Sequence, residues 1–360
     1  MRPRVLIIGL GDLGQRYAGA LAAEGAADLV LAGGGKGKGA ATAALIESSH
    51  GVAARYHALD GTRQSDVEAL LRAERPDLVL QCGSLASPWT LLAGDEPRIK
   101  TMRSAGTAVQ LCSQLPILHA VMAAARSVDL KAPIANLSWP DGTNPIMAKL
   151  GLAPDLGLGN ATMICGRVKA ALRRDARARG ADPSAIPLVR VIGDSSTLWP
   201  VLSATSPADG RGCRVYLGEE GRRDDAWAYK EHPLESGVHL NALTCASSMD
   251  VVRALLPGGA PTRASCPGVR GLPGGYPIAA ADQRITFDLP PGVSLDDATA
   301  FNASLLAVNG IARIEDDGTV IYTAAAQRIM ADIDPVLAEP LVPSRAKDRF
   351  PRLIEAIRIQ

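Results

Sequence analysis

The chain has 360 residues, enough for about two domains, and its 47% hydrophobic and 21% charged residues are typical of a globular protein. A net charge of +1 gives no strong field toward nucleic acid or a membrane surface. Aromatic residues make up only 4% of the chain, too few for a base-stacking surface. No apolar run reaches the ~18 residues of a membrane span. We therefore expect neither a nucleic-acid nor a membrane partner.

The N-terminal residues and the cysteines indicate the cellular compartment. Met1-Arg2-Pro3-Arg4 leads directly into a strand, without the apolar region and cleavage site of a signal peptide. The six cysteines are scattered and form no C-x-x-C pair, so they indicate neither a disulfide framework nor a zinc site. We expect a cytoplasmic protein without a bound metal.

A glycine motif follows the first predicted strand. Four aliphatic residues, 5–8, lead into G-L-G-D-L-G, and a helical pattern follows at once, which is the context of a dinucleotide site. The first glycine permits the turn, the second leaves space for a pyrophosphate, and the third lets the helix pack on the strand. The phosphates would meet the helix N-terminus. An ordinary tight turn is the alternative. The cofactor-binding residues predicted here are Gly9, Gly11, Asp12, Leu13 and Gly14.

The end of the second strand indicates which dinucleotide is bound. The strand at 28–32 runs into Gly33-Gly34-Gly35-Lys36-Gly37-Lys38-Gly39, with no carboxylate where an NAD site would bind the ribose 2′-hydroxyl. Small residues leave room for a 2′-phosphate, and two lysines can neutralise it. The sequence favours NADP, with NAD possible; a flexible loop with solvated lysines is the alternative. The predicted cofactor-binding residues are Gly33, Gly34, Lys36 and Lys38.

The first part of the chain alternates strands with helices, which predicts an α/β Rossmann domain with a doubly wound parallel sheet over residues 1–145. The strands are predicted at 4–8, 28–32, 54–58, 77–82, 107–111 and 133–138. The helices are predicted at 12–24, 39–48, 63–74, 94–104 and 114–127.

Residues 146–360 are predicted to form a C-terminal α+β domain for substrate binding and oligomerisation. Pro257–Pro277 is rich in glycine and proline and is predicted to be a loop or hairpin, and Ile314–Tyr322 a hairpin around Asp317-Gly318. The strands are predicted at 189–192, 214–217 and 284–289, and the helices at 170–180, 241–256 and 294–308.

Polar loops follow the later strands of the sheet, where ligands bind in doubly wound folds. We expect Ser84 to contact the cofactor and Ser87 and Trp89 to contact the substrate; a purely structural Trp89 is the alternative. In the run 136–145, we expect Asn136 to bind the cofactor. Asp141 and Asn144 are expected to act in catalysis, although Asn, Asp, Pro and Gly also build turns.

Two further side chains are candidates in the second domain. Arg167, two turns into a helix, can bind a carboxylate in bidentate fashion or be solvated. His239 lies at the entry to a long helix and is the histidine that we favour as proton donor. The polar cluster at 194–197 competes with it for this role. Neither set has metal-ligand spacing.

Four blocks of the chain resemble the lactate/malate dehydrogenase fold. Ser138-Trp139-Pro140-Asp141 stands where that family has its S-N-P-V-D/N turn, and 159–167 where its arginine-bearing helix begins. Residues 187–199 resemble the strand and loop that carry its catalytic histidine, and 237–239 open the helix that lines its substrate pocket. The resemblance covers nearly the whole chain at low identity and implies a homodimer.

The chain departs from that family at the catalytic positions. The family's histidine falls near Asp194-Ser195-Ser196, where no histidine stands, and its aspartate partner falls near Ile164. Ser84–Trp89 replaces the arginine-bearing lid, and Arg167 matches the substrate-binding arginine. The family's His–Asp mechanism is therefore not expected. A protonated imine, which is already electrophilic, would need that pair less than a ketone does.

The closer resemblance is to the saccharopine/opine-dehydrogenase-like oxidoreductases, through Ser87-Pro88-Trp89, the blocks at 138–141 and 159–160, and Gly271–Pro277. It implies an oxidoreductase that acts on an amino-acid-derived small molecule. Together with the glycine–lysine segment after the second strand, it predicts NADP-dependent hydride transfer, either amine/imine or alcohol/ketone. Two alternatives stay open. One is an enzyme that holds the cofactor and uses it transiently for elimination, condensation or epimerisation. The other is a non-catalytic NADP-binding sensor.

Overall fold

The computed structural model describes residues 2–92, 96–208 and 210–358. Within them, a six-stranded sheet has the order β3-β2-β1-β4-β5-β6, and every neighbouring pair is parallel. This is the doubly wound Rossmann arrangement predicted from the alternating elements. The strands are β1 (Arg4–Ile8), β2 (Asp28–Gly33), β3 (Ala54–Ala58), β4 (Leu78–Gln81), β5 (Ile134–Asn136) and β6 (Leu156–Gly157).

Helices connect these strands and cover both faces of the sheet. The first, α1, begins directly after the glycine motif and ends at Gly25, whose positive φ of 61° closes the helix. Part of the predicted helix 94–104 lies outside the described residues. The helices are α1 (Asp12–Glu24), α2 (Lys36–His50), α3 (Gln64–Glu74), α4 (Trp89–Leu92), α5 (Pro97–Ser104), α6 (Leu111–Ser127) and α7 (Pro140–Lys149).

The rest of the chain mixes helices with small antiparallel sheets, as an α+β region should. The sheet strand β6 lies past the predicted domain boundary at residue 145, and that boundary stays a prediction. The strands are β7 (Val189–Ile192), β8 (Arg214–Leu217), β9 (Arg222–Arg223), β10 (Thr262–Pro267), β11 (Gly275–Ala281), β12 (Arg284–Phe287), β13 (Ile311–Ile314) and β14 (Val320–Tyr322). The helices are α8 (Ala161–Ala178), α9 (Ser195–Leu202), α10 (Leu240–Ala254), α11 (Leu295–Leu305), α12 (Ala324–Ala331), α13 (Pro335–Ala338) and α14 (Ala346–Arg358).

The strand predicted at 107–111 is wrong. Thr107–Gln110 forms a 3₁₀ turn that runs into α6. A short apolar run does not by itself distinguish a buried strand from a buried helix, and here the apolar residues continue into a helix packed within the core. By contrast, Pro257–Pro277 does supply a hairpin, because β10 and the first three residues of β11 lie there and the two strands pair in antiparallel register.

The longest apolar helical segment lies in the interior. Thr107–Ser127 is long and apolar enough to cross a membrane by length and composition, and 83% of its most apolar window is buried inside the protein. Its residues share one hydrophobic core with α14 and with strands β13 and β14. The C-terminal part of the chain therefore packs on a helix of the Rossmann domain.

Candidate functional site

The glycine motif has the backbone geometry that a phosphate-binding turn requires. Gly9 has a φ of +96°, and a Cβ there would lie 2.4 Å from the backbone of Gly83. A Cβ on Gly14 would lie 2.0 Å from the carbonyl oxygen of Gly9, so this glycine is needed for helix α1 to approach the turn. A Cβ on Gly11 would meet no protein atom within 4 Å. Gly11 thus borders open space, where a phosphate can approach the backbone.

A cleft of about 340 Å³ lies over this turn, at the carboxyl ends of the sheet strands. It brings together most of the predicted cofactor and substrate residues. Gly14 and Asn136 do not line it: Gly14 lies beneath the turn, and Asn136 is completely buried. The predicted residues that line the cleft are Gly9, Gly11, Asp12, Leu13, Gly33, Gly34, Lys38, Ser84, Ser87 and Trp89.

The end of β2 opens onto the N-terminus of α2. Gly35 caps this helix without a side-chain hydrogen bond, and its first turn has no acidic residue. Lys38 lines the cleft there, whereas the side chain of Lys36 lies outside the described residues. Lysines in a first helical turn oppose the helix dipole unless an anion is bound. The unpaired amide N–H groups and Lys38 together form a site suited to an anion.

One carboxylate, Asp12, borders the cleft in the first turn of α1. Its Oδ2 accepts hydrogen bonds from Arg16 Nε at 2.7 Å and from Asn241 Nδ2 at 2.9 Å. Partial burial acts to raise the pKa of Asp12, but these two hydrogen bonds and the charges of Arg16 and Lys38 hold it below its ordinary value. The Asp12 charge is thus balanced within the protein.

A second, inner cavity of about 110 Å³ adjoins the cleft and shares Leu13, Trp89, Gln114 and Asn241 with it. Its wall combines three indoles and four carboxamides with five leucines, two prolines and a methionine. None of the described residues that line it has a side chain that is charged at neutral pH. The aromatic and amide residues are Trp89, Trp139, Trp199, Gln110, Gln114, Asn160 and Asn241.

The indoles are held by hydrogen bonds and by one ring contact. Trp89 Nε1 donates to Asn241 Oδ1 at 3.0 Å, and Trp139 Nε1 donates to Ser195 Oγ at 2.9 Å. The rings of Trp89 and Trp199 meet edge to face with centroids 6.4 Å apart. Trp139 has a φ of +48°, an uncommon conformation for a large residue and a sign that its position is imposed by the surrounding structure.

Two buried carboxyl groups lie behind the cavity wall. Asp194 caps α9, accepts from the backbone of Ser196 and Thr197, and accepts from Asn309 Nδ2 at 2.5 Å. Asp141 accepts from Asn160 Nδ2 through Oδ2, and its Oδ1 has no partner among the described residues. Burial and then the charge of Asp194 raise the pKa of Asp141 well above its ordinary value. Burial also raises the pKa of Asp194, to about 6, but the hydrogen bonds from Ser196, Thr197 and Asn309 oppose this shift, so Asp141 holds a proton more readily than Asp194.

The structure places Asn136 and Asn144 in a buried linkage away from both cavities. Asn136 Nδ2 donates to Asn144 Oδ1 at 2.7 Å, and Asn144 Nδ2 donates to the carbonyl of Gly268 at 2.9 Å. These bonds tie β5 and α7 to the turn after β10. Because both ends of each amide are used, their predicted cofactor and catalytic roles have no geometric support.

Arg167 and His239 also lie away from the two cavities. The guanidinium of Arg167 donates to the carbonyl of His232 and lies 3.9 Å from Glu231, so it fastens α8 to the 231–232 segment. His239 precedes α10 and is exposed. Asn241 points into the site instead, because residues two apart on a helix lie about 200° apart.

Sequence reasoning missed several residues of the inner cavity, among them Gln110, Trp199 and Asn241, whereas Ser195 belongs to the polar cluster at 194–197 that competed with His239. The sequence analysis correctly placed the start of α10 near the site. It chose His239 there because histidine can transfer a proton, whereas Asn241 is the residue that lines the cavities. Trp139 and Asn160 have positive φ values of 48° and 27°, and this unusual backbone conformation marks the cavity wall as conformationally constrained. Among the described residues, no group of three or more His, Cys, Asp or Glu could hold a metal ion.

A third, outer cavity of about 780 Å³ continues from the inner one through Thr107, Gln110, Trp199 and Leu202. Its wall carries the cationic side chain of Arg103 and several hydroxyl groups together with apolar side chains, of which Leu234 and Val308 are exposed. The inner cavity thus lies between the cleft and the outer cavity and adjoins both.

Comparison with known proteins identifies the fold. No protein-family model and no curated protein sequence matches the chain. It is similar to the malate dehydrogenase from Picrophilus torridus in its apo form, with a TM-score of 0.56 and 14% identity over 92% of this chain and 99% of that one. It is also similar to the malate dehydrogenase of Cryptosporidium parvum, with a TM-score of 0.53 and 14% identity over 86% of this chain and 97% of that one. The lactate dehydrogenase of Eimeria maxima with NADH and oxamate matches with a TM-score of 0.52 and 12% identity, over 86% of this chain and 92% of that one. The chain has the lactate/malate dehydrogenase fold.

Proposed function

We propose that the chain is a cytoplasmic, homodimeric, NADP-dependent oxidoreductase that transfers a hydride to or from a C–N or C–O bond of a small molecule. The observation that carries the proposal is the glycine turn, where Gly9 and Gly14 are sterically required and Gly11, unlike these two glycines, faces open space. A bound nicotinamide dinucleotide supplies the hydride chemistry, and the protein supplies position and electrostatics. The homodimer is inferred from the fold, and the cytoplasm from six free cysteines.

The preference for NADP is supported by the end of β2. Gly33 and Gly34 occupy the positions where an NAD site has a carboxylate, which would repel a 2′-phosphate. The N-terminus of α2 and Lys38 can instead neutralise a 2′-phosphate. Tyr56 Oη donates to the carbonyl of Gly33 at 2.8 Å and fixes this part of the cleft.

The inner cavity is our candidate substrate site, because it adjoins the cleft and shares Trp89 and Asn241 with it. An amino-acid-derived substrate was expected to place its carboxylate on Arg167, which is engaged elsewhere. Of the properties implied by the resemblance to saccharopine/opine-type oxidoreductases, we propose only the C–N chemistry for this chain. Transient use of a tightly held cofactor predicts instead co-purified dinucleotide with no net absorbance change.

The test is a titration of the purified protein with NADPH and NADH, followed by cofactor fluorescence. We expect both to bind and NADPH to bind at least tenfold more tightly, which corresponds to ~1.4 kcal/mol. Equal affinities, or a preference for NADH, would contradict the 2′-phosphate site while leaving the oxidoreductase proposal in place. Absence of binding to either would overturn both.

A further inference from the structure

The inner cavity has a defined hydrogen-bond polarity, set at Ser195. The hydroxyl of Ser195 donates to Asn309 Oδ1 at 3.0 Å and accepts from Trp139 Nε1. Asn309 cannot be turned around, because its Nδ2 donates to the Asp194 carboxylate and to the carbonyl of Leu305. With its proton committed, Ser195 has only a lone pair left for a ligand.

Two carboxamides of the wall have the same polarity. Asn160 donates one Nδ2 hydrogen to Asp141, and Gln114 donates both Nε2 hydrogens, to Ser113 Oγ at 3.0 Å and to the carbonyl of Ala86 at 3.4 Å. Ser113 in turn donates to the carbonyl of Gln110, so Gln114 must be the donor in their contact. The oxygens of Asn160 and Gln114 make no hydrogen bond to described residues and serve as acceptors.

The negative charge of Asp194, behind the cavity wall, also favours a ligand that donates hydrogen bonds. In the described part of the chain, no cationic side chain lies within 4.0 Å of the Asp141 or Asp194 carboxyl groups, so the charge of Asp194 is met only by neutral donors. The three indoles present π-electron density that attracts cations. A buried anion, fixed acceptors and aromatic faces together favour a ligand that is cationic and donates N–H bonds.

We propose that the inner cavity binds the ammonium or iminium head of an amine that carries no neighbouring carboxylate. The inference rests on the function proposed above and selects C–N over C–O compounds for it. A ketone oxygen needs a hydrogen-bond donor, and Ser195 and Gln114 have no hydrogen left to donate. A carboxylate beside the nitrogen would meet the same acceptors and the charge of Asp194.

The size of the cavities defines the rest of the ligand. The inner cavity, at about 110 Å³, holds only a small head group, and the outer cavity of about 780 Å³ continues from it. Pro200, Leu234 and Val308 line that outer space. The amine therefore carries an apolar substituent, and affinity should rise from butylamine to hexylamine as more apolar surface is buried.

The experiment measures ligand binding directly, because three of the four tryptophans of the chain line the inner cavity. Quenching of tryptophan fluorescence is followed with butylamine, butanol and butyrate, with saturating NADP⁺ and without it. We expect butylamine to bind at least tenfold more tightly than butanol and butyrate not to compete. Equal or reversed affinities would overturn the proposal.

Ser195→Ala should lower butylamine affinity about tenfold and leave butanol affinity within about twofold. The matched control is Ser248→Ala, which removes a buried hydroxyl that contacts Tyr17 outside the cavity. An unchanged preference for amine in Ser195→Ala would contradict the acceptor role.

Asp194 is a positioning residue, and Asp194→Asn tests it without loss of the helix cap, since asparagine caps as well as aspartate. The new amide would donate to Asn309 Oδ1, turn that carboxamide and release the Ser195 proton toward the cavity. We expect the preference to move from butylamine toward butanone by at least tenfold, with the melting temperature preserved. A uniform loss of both ligands would refute the proposed polarity.

The two proposals fail separately. Binding of NADPH together with indifference between amine and alcohol overturns this inference alone. An amine preference without any dinucleotide binding overturns the oxidoreductase proposal and, with it, the role of the amine as a substrate.

Discussion

The cofactor cleft and the inner cavity are adjacent, yet they are built in different ways. The cleft is formed largely by backbone at the ends of neighbouring strands, where Gly9, Gly11 and Gly33 make space. The inner cavity is formed by side chains that lie far apart in sequence, such as Trp89, Asn160 and Ser195. Backbone sites depend on local conformation and can be recognised in a motif. Side-chain cavities depend on how remote elements pack.

The two regions also differ in charge. The cleft has ionic groups at its border, Lys38 and the Asp12–Arg16 pair, in contact with solvent. The wall of the inner cavity is uncharged, with its carboxyl groups one layer behind, where they orient Asn160 and Asn309. The cleft is thus suited to anionic phosphates, and the cavity to a ligand that the buried carboxyl groups do not repel.

The largest effect is expected at Gly11. Gly11→Ala should lower NADPH affinity at least a hundredfold, ~2.7 kcal/mol, because the new methyl group occupies the space left for a phosphate. Since that methyl meets no protein atom within 4 Å, the melting temperature should not change.

The control is Gly19→Ala on α1, where a Cβ also meets nothing within 4 Å but does not face the cleft. It should bind NADPH normally. Normal binding by Gly11→Ala would show that the turn is only structural.

Lys38 should matter for only one of the two dinucleotides. Lys38→Ala removes a cation from the α2 N-terminus and should lower NADPH affinity about tenfold while NADH affinity changes less than twofold, in the fluorescence titration at low salt. Lys131→Ala, an exposed lysine paired with Asp129, is the control. Equal losses for both dinucleotides would place Lys38 at a shared phosphate instead.

The buried carboxyl pair predicts a pH effect on stability. Because the folded pKa of Asp141 is raised above its unfolded value, the folded state binds this proton more tightly. The free energy of unfolding therefore falls as the pH rises from the ordinary carboxyl pKa through the raised one, by up to roughly 1.4 kcal/mol per pH unit.

Asp141→Asn should remove this loss. We expect its melting temperature to exceed that of the wild type by a few degrees at pH 8.5 and to match it near pH 4. Asp129→Asn, at an exposed and paired carboxylate, should show no such pH-dependent gain. A variant less stable than the wild type at pH 8.5 would argue that ionised Asp141 is itself stabilising.

The smallest effect is expected at His239. This side chain is exposed at the start of α10, so His239→Ala should leave NADPH and butylamine affinities within about twofold. Asn241→Ala is the informative partner, because it removes hydrogen bonds to both Asp12 and Trp89 and should weaken both ligands. A tenfold loss in His239→Ala would restore the histidine as a site residue.

The sequence by itself determined the Rossmann sheet and most of the cleft. Strands 4–8 and 54–58 and helix 12–24 have the predicted bounds, and the glycine motif lies at the turn between the first strand and helix. These features depend on periodicity and on the conformational needs of glycine, which act over a few residues. The apolar run at 107–111 had no such local signature and was helical instead of extended.

Only the tertiary structure decided which polar side chains face the candidate site. Asn136, Asn144 and Arg167 have suitable chemistry, but their hydrogen-bonding groups are engaged by Thr143, Gly268, Glu231 and His232. Ser195 was already a candidate as part of the cluster 194–197, but its role as an acceptor depends on Asp194 and Asn309, 115 residues apart, which orient its hydroxyl. A sequence records which groups can donate or accept. Packing decides which of them remain uncommitted, because buried polar groups find partners wherever the fold brings them together.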